Sequence, residues 1–334
     1  MRERADEAAG PMRRAAIGCG GPEVTALGFG GAAIGNLYAA LDDETAEAVL
    51  EAAWAGGIRY FDTAPHYGLG LSERRIGNAL RTRPRDEYVI STKVGRLLVP
   101  NARPTGSDLE HGGFDVPDDW TRERDYSRDG ILRSVEASLG RLGLDRLDIV
   151  FVHDPEEHMG QALGEAVPAL IELREQGAVG AVGAGMNLVA PLRRFVAETD
   201  IDVVLVAGRW TLIDRSAGPL LEECLHANVA VIAAGVFNSG LLAHAAPSSS
   251  ATFDYGPVPD DALQAAVAAA RACADHGTTL PTAALQFPLR HAAVSSVLVG
   301  MRTPAECRQD LVAVTTDIDE RLWSDLPEPI SDRS

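Results

Sequence analysis

The sequence has 334 residues, 46% of them hydrophobic and 23% charged, which supports a large buried core and excludes a disordered chain. Its formal net charge of -18 argues against nucleic acid as a partner, because phosphate-backbone binding needs clustered Lys and Arg to displace counterions. No apolar run reaches the roughly 20 residues that span a bilayer, and the opening MRERADEAAGPMRR lacks the apolar core of a signal peptide, so the expectation is a cytoplasmic protein with no membrane partner.

Residues 1–22, charged and rich in Gly and Pro, read as a flexible lead-in to one domain over 23–330. From there short β-branched runs alternate with Ala/Leu-rich amphipathic stretches, the pattern of repeated βα units. Strands are predicted near 26–30, 58–62, 88–93, 147–152, 178–183, 202–206, 229–233 and 295–299. Helices are predicted near 43–56, 72–82, 127–142, 161–176, 188–198, 216–227 and 260–276, with an extra one over 281–290 and a last one from 304. Asp42-Asp43 and Thr303-Pro304 are start signals for two of these. The fold class that follows is α/β, a closed (β/α)8 TIM barrel with its active site at the C-terminal ends of the strands. Two insertions lie on that side, 95–126 after strand three and 235–259 after strand seven. The first carries Phe114, Trp120 and Tyr126 and reads as either a substrate-covering loop or a disordered surface loop.

Cys19, Cys224, Cys273 and Cys307 are widely spaced, without a CxxC pair, and read as reduced thiols. GFGGAA at 28–33, with Glu51 downstream, satisfies a dinucleotide-binding GxGxxA pattern, but that fingerprint needs a helix to begin inside the glycines. Here the first helix start comes at Asp42-Asp43.

Of the 30 basic residues, Lys93 alone is lysine. It ends strand three, between Asp62 at the end of strand two and His153 at the end of strand four, and Tyr67 follows strand two by five residues from Asp62. A phenol ionises near pH 10, and an adjacent ammonium lowers that value. Lys93 is suited to act so on Tyr67, with Asp62 holding the ammonium charged and His153 bonding the substrate oxygen. Singly, each residue has an ordinary explanation; their arrival at successive strand ends is the signal.

LGFGG at 27–31, FDTAPHYGLGLSE at 61–73, STK at 91–93 and RLGLDRLDIVFVHDP at 141–155 resemble the aldo-keto reductase superfamily, over roughly residues 24–315. The resemblance implies a catalytic tetrad of Tyr67, Lys93, Asp62 and His153 and a nicotinamide cofactor, NAD or NADP. GRLLVP at 95–100, DYSRDGILRSVE at 125–136, VGAGMN at 182–187 and AAGVFNSGLL at 233–242 are similar to the bacterial branch that includes L-fucose and D-threo-aldose 1-dehydrogenases and pyridoxal 4-dehydrogenase. That likeness implies oxidation of the anomeric hydroxyl of an aldose, or of ring-closed pyridoxal, to a lactone. Reduction of a natural-product or xenobiotic aldehyde or ketone is the alternative.

Where the resemblance implies Ser-Asn, Gln and an aromatic around the nicotinamide, this sequence has Gly185-Met186, Ala207 and Ala234. Asn187, Arg209 and Phe237 are the replacement candidates. The remaining cofactor contacts implied are Gly30, Gly31, Asn238, Ser239, Gly240, Gly300, Met301, Arg302, Gln309 and Asp310. Glu306 disfavours the 2′-phosphate of NADP and Arg302 favours it, so NAD is slightly preferred. Three rivals differ in class: a Schiff-base aldolase using Lys93, a metal-dependent hydrolase using His66, His153 and Asp154, and a cofactor-binding protein without turnover. The partner expected is a small aldose, pyridoxal or another carbonyl compound, and the acidic surface is compatible with a monomer or a homodimer.

Overall fold

The computed structural model describes residues 12–18 and 20–330. Eight parallel strands close into a barrel: β1 (Leu27–Gly30), β2 (Tyr60–Asp62), β3 (Val89–Val94), β4 (Leu147–His153), β5 (Val179–Met186), β6 (Val203–Ala207), β7 (Ala230–Ala234) and β8 (Val294–Gly300). Each strand pairs with the next in sequence, and β8 returns to β1 through Val297↔Leu27 and Gly300↔Gly30. Each predicted strand is present, with its ends shifted by a few residues.

Side chains alternate across a strand, and this alternation places the chemistry. Tyr60, Val89, Ile149, Phe151, Val203, Leu205, Ile232 and Leu298 fill the barrel, while Phe61, Ile90, Val150 and Val152 join the outer layer that packs on the helices. Counting by twos from the inward-facing residues reaches Asp62 on β2, Lys93 on β3 and His153 on β4. Burial of the outer layer anchors the phase of each strand, since a one-residue slip would turn these three outward.

The helix from Asp43 to Ala55 begins where Asp42 accepts the Thr45 amide at 2.7 Å, and the one from Pro304 to Thr315 begins on Thr303. GFGGAA starts no α-helix; only a 3-10 turn, Ala33–Gly35, begins at its last residue. The helix predicted over 161–176 is interrupted by a π turn at Ala162–Ala166, immediately before Pro168, which has no amide hydrogen to continue the ladder.

Two expectations change. The lead-in is ordered at its end: Arg14–Ala16 pairs with Glu23–Thr25 as an antiparallel hairpin, and Ile17 and Val24 are buried against the residues inside the barrel, closing the end opposite the C-terminal ends of the strands. Residues 1–11 and Cys19 lie outside the described residues, whereas Cys224, Cys273 and Cys307 are buried free thiols. The insertion at 95–126 is an antiparallel hairpin, Arg96–Pro100 with Trp120–Arg124, bent over the cavity. No helix among the described residues is long and apolar enough to cross a membrane.

Because Ile17 is buried in the apolar cluster inside the barrel, Ile17→Ala should cost about 2–4 kcal/mol and lower the urea midpoint at unchanged m-value. An unchanged midpoint would mean that the hairpin is not part of the cooperative unit.

Candidate active site

A cavity of about 570 Å³ opens at the C-terminal ends of the strands, and Asp62, Tyr67, Lys93 and His153 all line it. Lys93 is fully buried, with its ammonium 2.6 Å from Asp62 Oδ2 and 3.0 Å from the Thr63 carbonyl. Asp62 Oδ1 accepts a second bond from Ser91 Oγ at 2.7 Å, and Ser91 in turn meets the Tyr60 hydroxyl at 3.1 Å. The Lys93 ammonium sits 4.7 Å from the centre of the Tyr67 ring. Burial opposes its charge, but Asp62 and Tyr67 hold it protonated above the usual lysine value.

Tyr67 corrects one expectation. Lys93 does lower its pKa by charge and by a hydrogen bond, but burial raises it by more, so the phenol titrates above its ordinary value. At neutral pH it is a protonated phenol. Burial, aided by Arg96 and Lys93, pushes His153 well below the usual imidazole range, so it stays neutral.

The tyrosine is held by its loop. Gly68 is left-handed (φ 60°), and a Cβ on it would fall 2.2 Å from the Gly35 carbonyl oxygen, so only glycine fits after Tyr67. Thr63 Oγ1 donates to Ser72 at 2.8 Å. Behind β3 the fully buried Glu73 accepts from Thr92 at 2.8 Å and from Arg141 at 2.5 Å. Thr63, Ser72 and Glu73 are polar positions within FDTAPHYGLGLSE whose burial is visible only with the strands assembled.

The histidine end is set by Tyr126, whose hydroxyl donates to the carbonyls of His153 (2.6 Å) and Asp154 (2.9 Å). Tyr126 is therefore a buried anchor and not part of a substrate cover. Asp154 carries φ 42° and bonds Arg96 at 2.5 Å, while its carboxylate lies 3.4 Å from His153 Nε2. Trp54, Trp120 and Trp210 do not line the cavity; Trp120 is 49% exposed, and the other two pack near Tyr88 and Phe287. Phe114 does line it.

Among the cofactor candidates, Gly30, Gly31, Asn187 and Gly300 line the cavity. Gly185, Met186, Ala207 and Ala234 line it too, leaving Asn187 as the polar side chain at that wall. Arg209 does not: its guanidinium is committed to Asp254 (2.9 Å) and Asp214 (3.6 Å), where a buried cation needs carboxylates. Phe237 packs into the hydrophobic core and Met301 is fully buried. Asn238 and Ser239 are left-handed, with Asn238 Oδ1 buried and unpartnered. Gly240 follows in the same turn, with φ 108°. Arg302 donates to the carbonyls of Leu37, Ala39 and Ala40. Gln309 faces an outer depression with Ala305 and Arg308, and burial, reinforced by Glu306, raises Asp310 to about 7. The glycine-lined wall, with Asn187 beside it, fits a flat ring that carries a polar group. Among the described residues no three His, Cys, Asp or Glu side chains gather as metal ligands.

A model of the aldo/keto reductase family matches residues 26–328. The chain belongs to that family. This aldo/keto reductase is 48% identical over 317 residues to a D-threo-aldose 1-dehydrogenase of a Pseudomonas species, covering 94% of this chain and 96% of the relative. It is 39% identical to a pyridoxal 4-dehydrogenase of Microbacterium luteolum, covering 93% and 95%, and 30% identical to an L-galactose dehydrogenase of Arabidopsis thaliana, covering 90% and 87%. In fold it is similar to an aldo-keto reductase of Bacillus halodurans in its holo form (TM-score 0.73, 21% identity, covering 96% and 99%). Members of the family use NAD(P)(H), and this chain is an oxidoreductase.

Two exposed tyrosines stand at the cavity mouth, Tyr38 (53%) and Tyr255 (66%), both left-handed and both lining the cavity. Tyr255 and Asp254 form the tip of a two-residue hairpin, a turn that favours Asn-Gly. Tyr255→Gly should therefore raise the melting temperature by roughly 2 °C while weakening ligand binding, as measured by calorimetry and by quenching of protein fluorescence. Unchanged affinity would make Tyr255 a bystander.

Proposed function

We propose that this aldo/keto reductase is an NAD-dependent dehydrogenase that oxidises the anomeric hydroxyl of an aldose to a lactone, with Tyr67, Lys93, Asp62 and His153 as its proton-transfer set. The observation that carries the reading is the buried Asp62–Lys93 pair set against Tyr67 in a cavity that His153 also lines. The likeness to the D-threo-aldose 1-dehydrogenase supports the substrate class; the likeness to the pyridoxal 4-dehydrogenase supports ring-closed pyridoxal, also a cyclic hemiacetal, as the second reading.

Gly30, Gly31, Gly300 and Asn187 would hold a nicotinamide, which would supply the hydride acceptor. The substrate hydroxyl gives its proton to Tyr67 once the phenol has ionised, and the Lys93 ammonium stabilises that phenolate. His153, neutral, bonds the reacting oxygen, and Asp62 keeps Lys93 charged and directed. In reduction the neutral phenol donates instead. A Schiff-base role for Lys93 requires a neutral amine, and Asp62 at 2.6 Å opposes its deprotonation. NAD is preferred because Arg302 is engaged with three carbonyls, leaving the Glu306 carboxylate to repel a 2′-phosphate.

The direct assay is absorbance at 340 nm with NAD or NADP against L-fucose, D-arabinose, L-galactose, pyridoxal and a simple aromatic alcohol. Growth with an aldose and NAD is expected; silence there, with consumption of NADH by aldehydes, would make the protein a carbonyl reductase. Tyr67→Phe should lower kcat by about 10²–10⁴ with cofactor Kd nearly unchanged. Because Tyr67 titrates above its ordinary value and His153 far below its own, kcat/KM for oxidation should climb about tenfold per pH unit between pH 7 and 9. A plateau beginning near pH 7 would assign the base to another group. Glu306→Gln should raise kcat/KM for NADP several-fold relative to NAD, and an unaltered ratio would remove Glu306 from the preference.

A further inference from the structure

His66, the residue before Tyr67, is an imidazole in the cavity for which the proton-transfer set has no use. Its ring centre lies 6.1 Å from that of Tyr67 and 5.8 Å from that of His153, and those two are themselves 6.1 Å apart. The three rings thus form a near-equilateral triangle on one wall. Phe114 meets the His66 ring edge-on at 5.2 Å, and Arg122 holds the His66 carbonyl at 2.9 Å, so packing and backbone fix the ring in place. No described residue uses its nitrogens: Nδ1 is buried without a partner, and the ring makes no hydrogen bond.

Such a ring is out of place as filler. An unpaired buried polar atom costs about 1–3 kcal/mol, and an apolar side chain would fill the same space without that cost. Burial, with Arg96, Arg122 and Lys93 nearby, lowers its pKa to about 2, so it is a neutral imidazole with one donor and one acceptor. A neutral hydroxyl, itself donor and acceptor, is the group that matches.

We propose that His66 is a specificity-determining residue that binds a second substrate oxygen, carried on the carbon next to the reacting one, and so selects vicinal hydroxy substrates over simple alcohols and aldehydes. The reacting oxygen occupies the side of the triangle between Tyr67 and His153, and the neighbouring hydroxyl falls towards the third corner. This rests on the oxidoreductase reading above and deepens it: an aldose carries a 2-hydroxyl beside its anomeric carbon, and a simple aldehyde has none.

The test compares an aldose with its 2-deoxy counterpart in wild type, His66→Phe and His66→Asn. The wild-type preference in kcat/KM for the 2-hydroxy substrate is expected to be about 10- to 100-fold. His66→Phe should reduce it to within about threefold, and His66→Asn, which keeps a donor and an acceptor, should restore part of it. A purely structural role would slow both substrates together and leave their ratio intact, which overturns the proposal. If His66→Phe does not fold, an unchanged ratio in His66→Asn and in His66→Ala overturns it equally. The same comparison with glycolaldehyde against acetaldehyde and NADH separates the two ideas: a ratio that depends on His66 there, without aldose oxidation, sinks the aldose reading but not this one. Turnover of neither pair sinks both.

Discussion

A buried ammonium–carboxylate pair, Lys93 with Asp62, is the constraint on which the rest of the site depends. Taking both charges out of water costs several kcal/mol per ion, and the contact is tolerable only if the remaining hydrogen-bonding capacity is satisfied. Here it is, by Ser91 on the second carboxylate oxygen and by the Thr63 carbonyl on the ammonium. One supporting group comes from β3 and the other from the turn that follows β2, so the pair is met only when the two strands stand in the observed register, Asp62 opposite Ser91. Removing either partner would strand a charge. The pair is therefore as much a lock on strand register as a device for tuning Tyr67.

Around this rigid floor the mouth of the cavity is built from backbone in sparsely populated conformations. Tyr38, Asp154 and Tyr255, which line the cavity, all have positive φ. Strain of this kind persists where surrounding structure over-determines it, and it gathers at sites that bind. Arg209 illustrates the division of labour: it touches no cavity wall, yet its bond to Asp254 steadies the hairpin tip that presents Tyr255.

The catalytic candidates were legible because strand period and barrel topology are both local rules. Asp62, Lys93 and His153 lie at strand ends, two residues beyond an inward-facing neighbour, and the sequence shows both the end and the phase. The cofactor candidates fared unevenly for the converse reason. Gly30, Asn187 and Gly300 reach the cavity from the ends of their strands, whereas Met301, one residue past β8, is buried, and Arg209 and Arg302, two residues past β6 and β8, are held by partners far away in sequence. Arg302 is the plainest example: its guanidinium is spent on carbonyls some 260 residues earlier in the chain.

The sequence by itself determined the barrel, the positions of its strands, the family resemblance and the four groups that meet in one cavity, because alternation and spacing are written along the chain. Only the tertiary structure decided that burial outweighs Lys93 in setting the Tyr67 pKa, that Tyr126, in an insertion readable as a cover or as a disordered loop, is a buried anchor, that the N-terminal hairpin plugs the barrel, and that His66 stands without a partner among the described residues beside the rings of Tyr67 and His153. Each of these depends on how much water and which distant atoms surround a side chain, and solvent exclusion is a property of the assembled fold that no local pattern encodes.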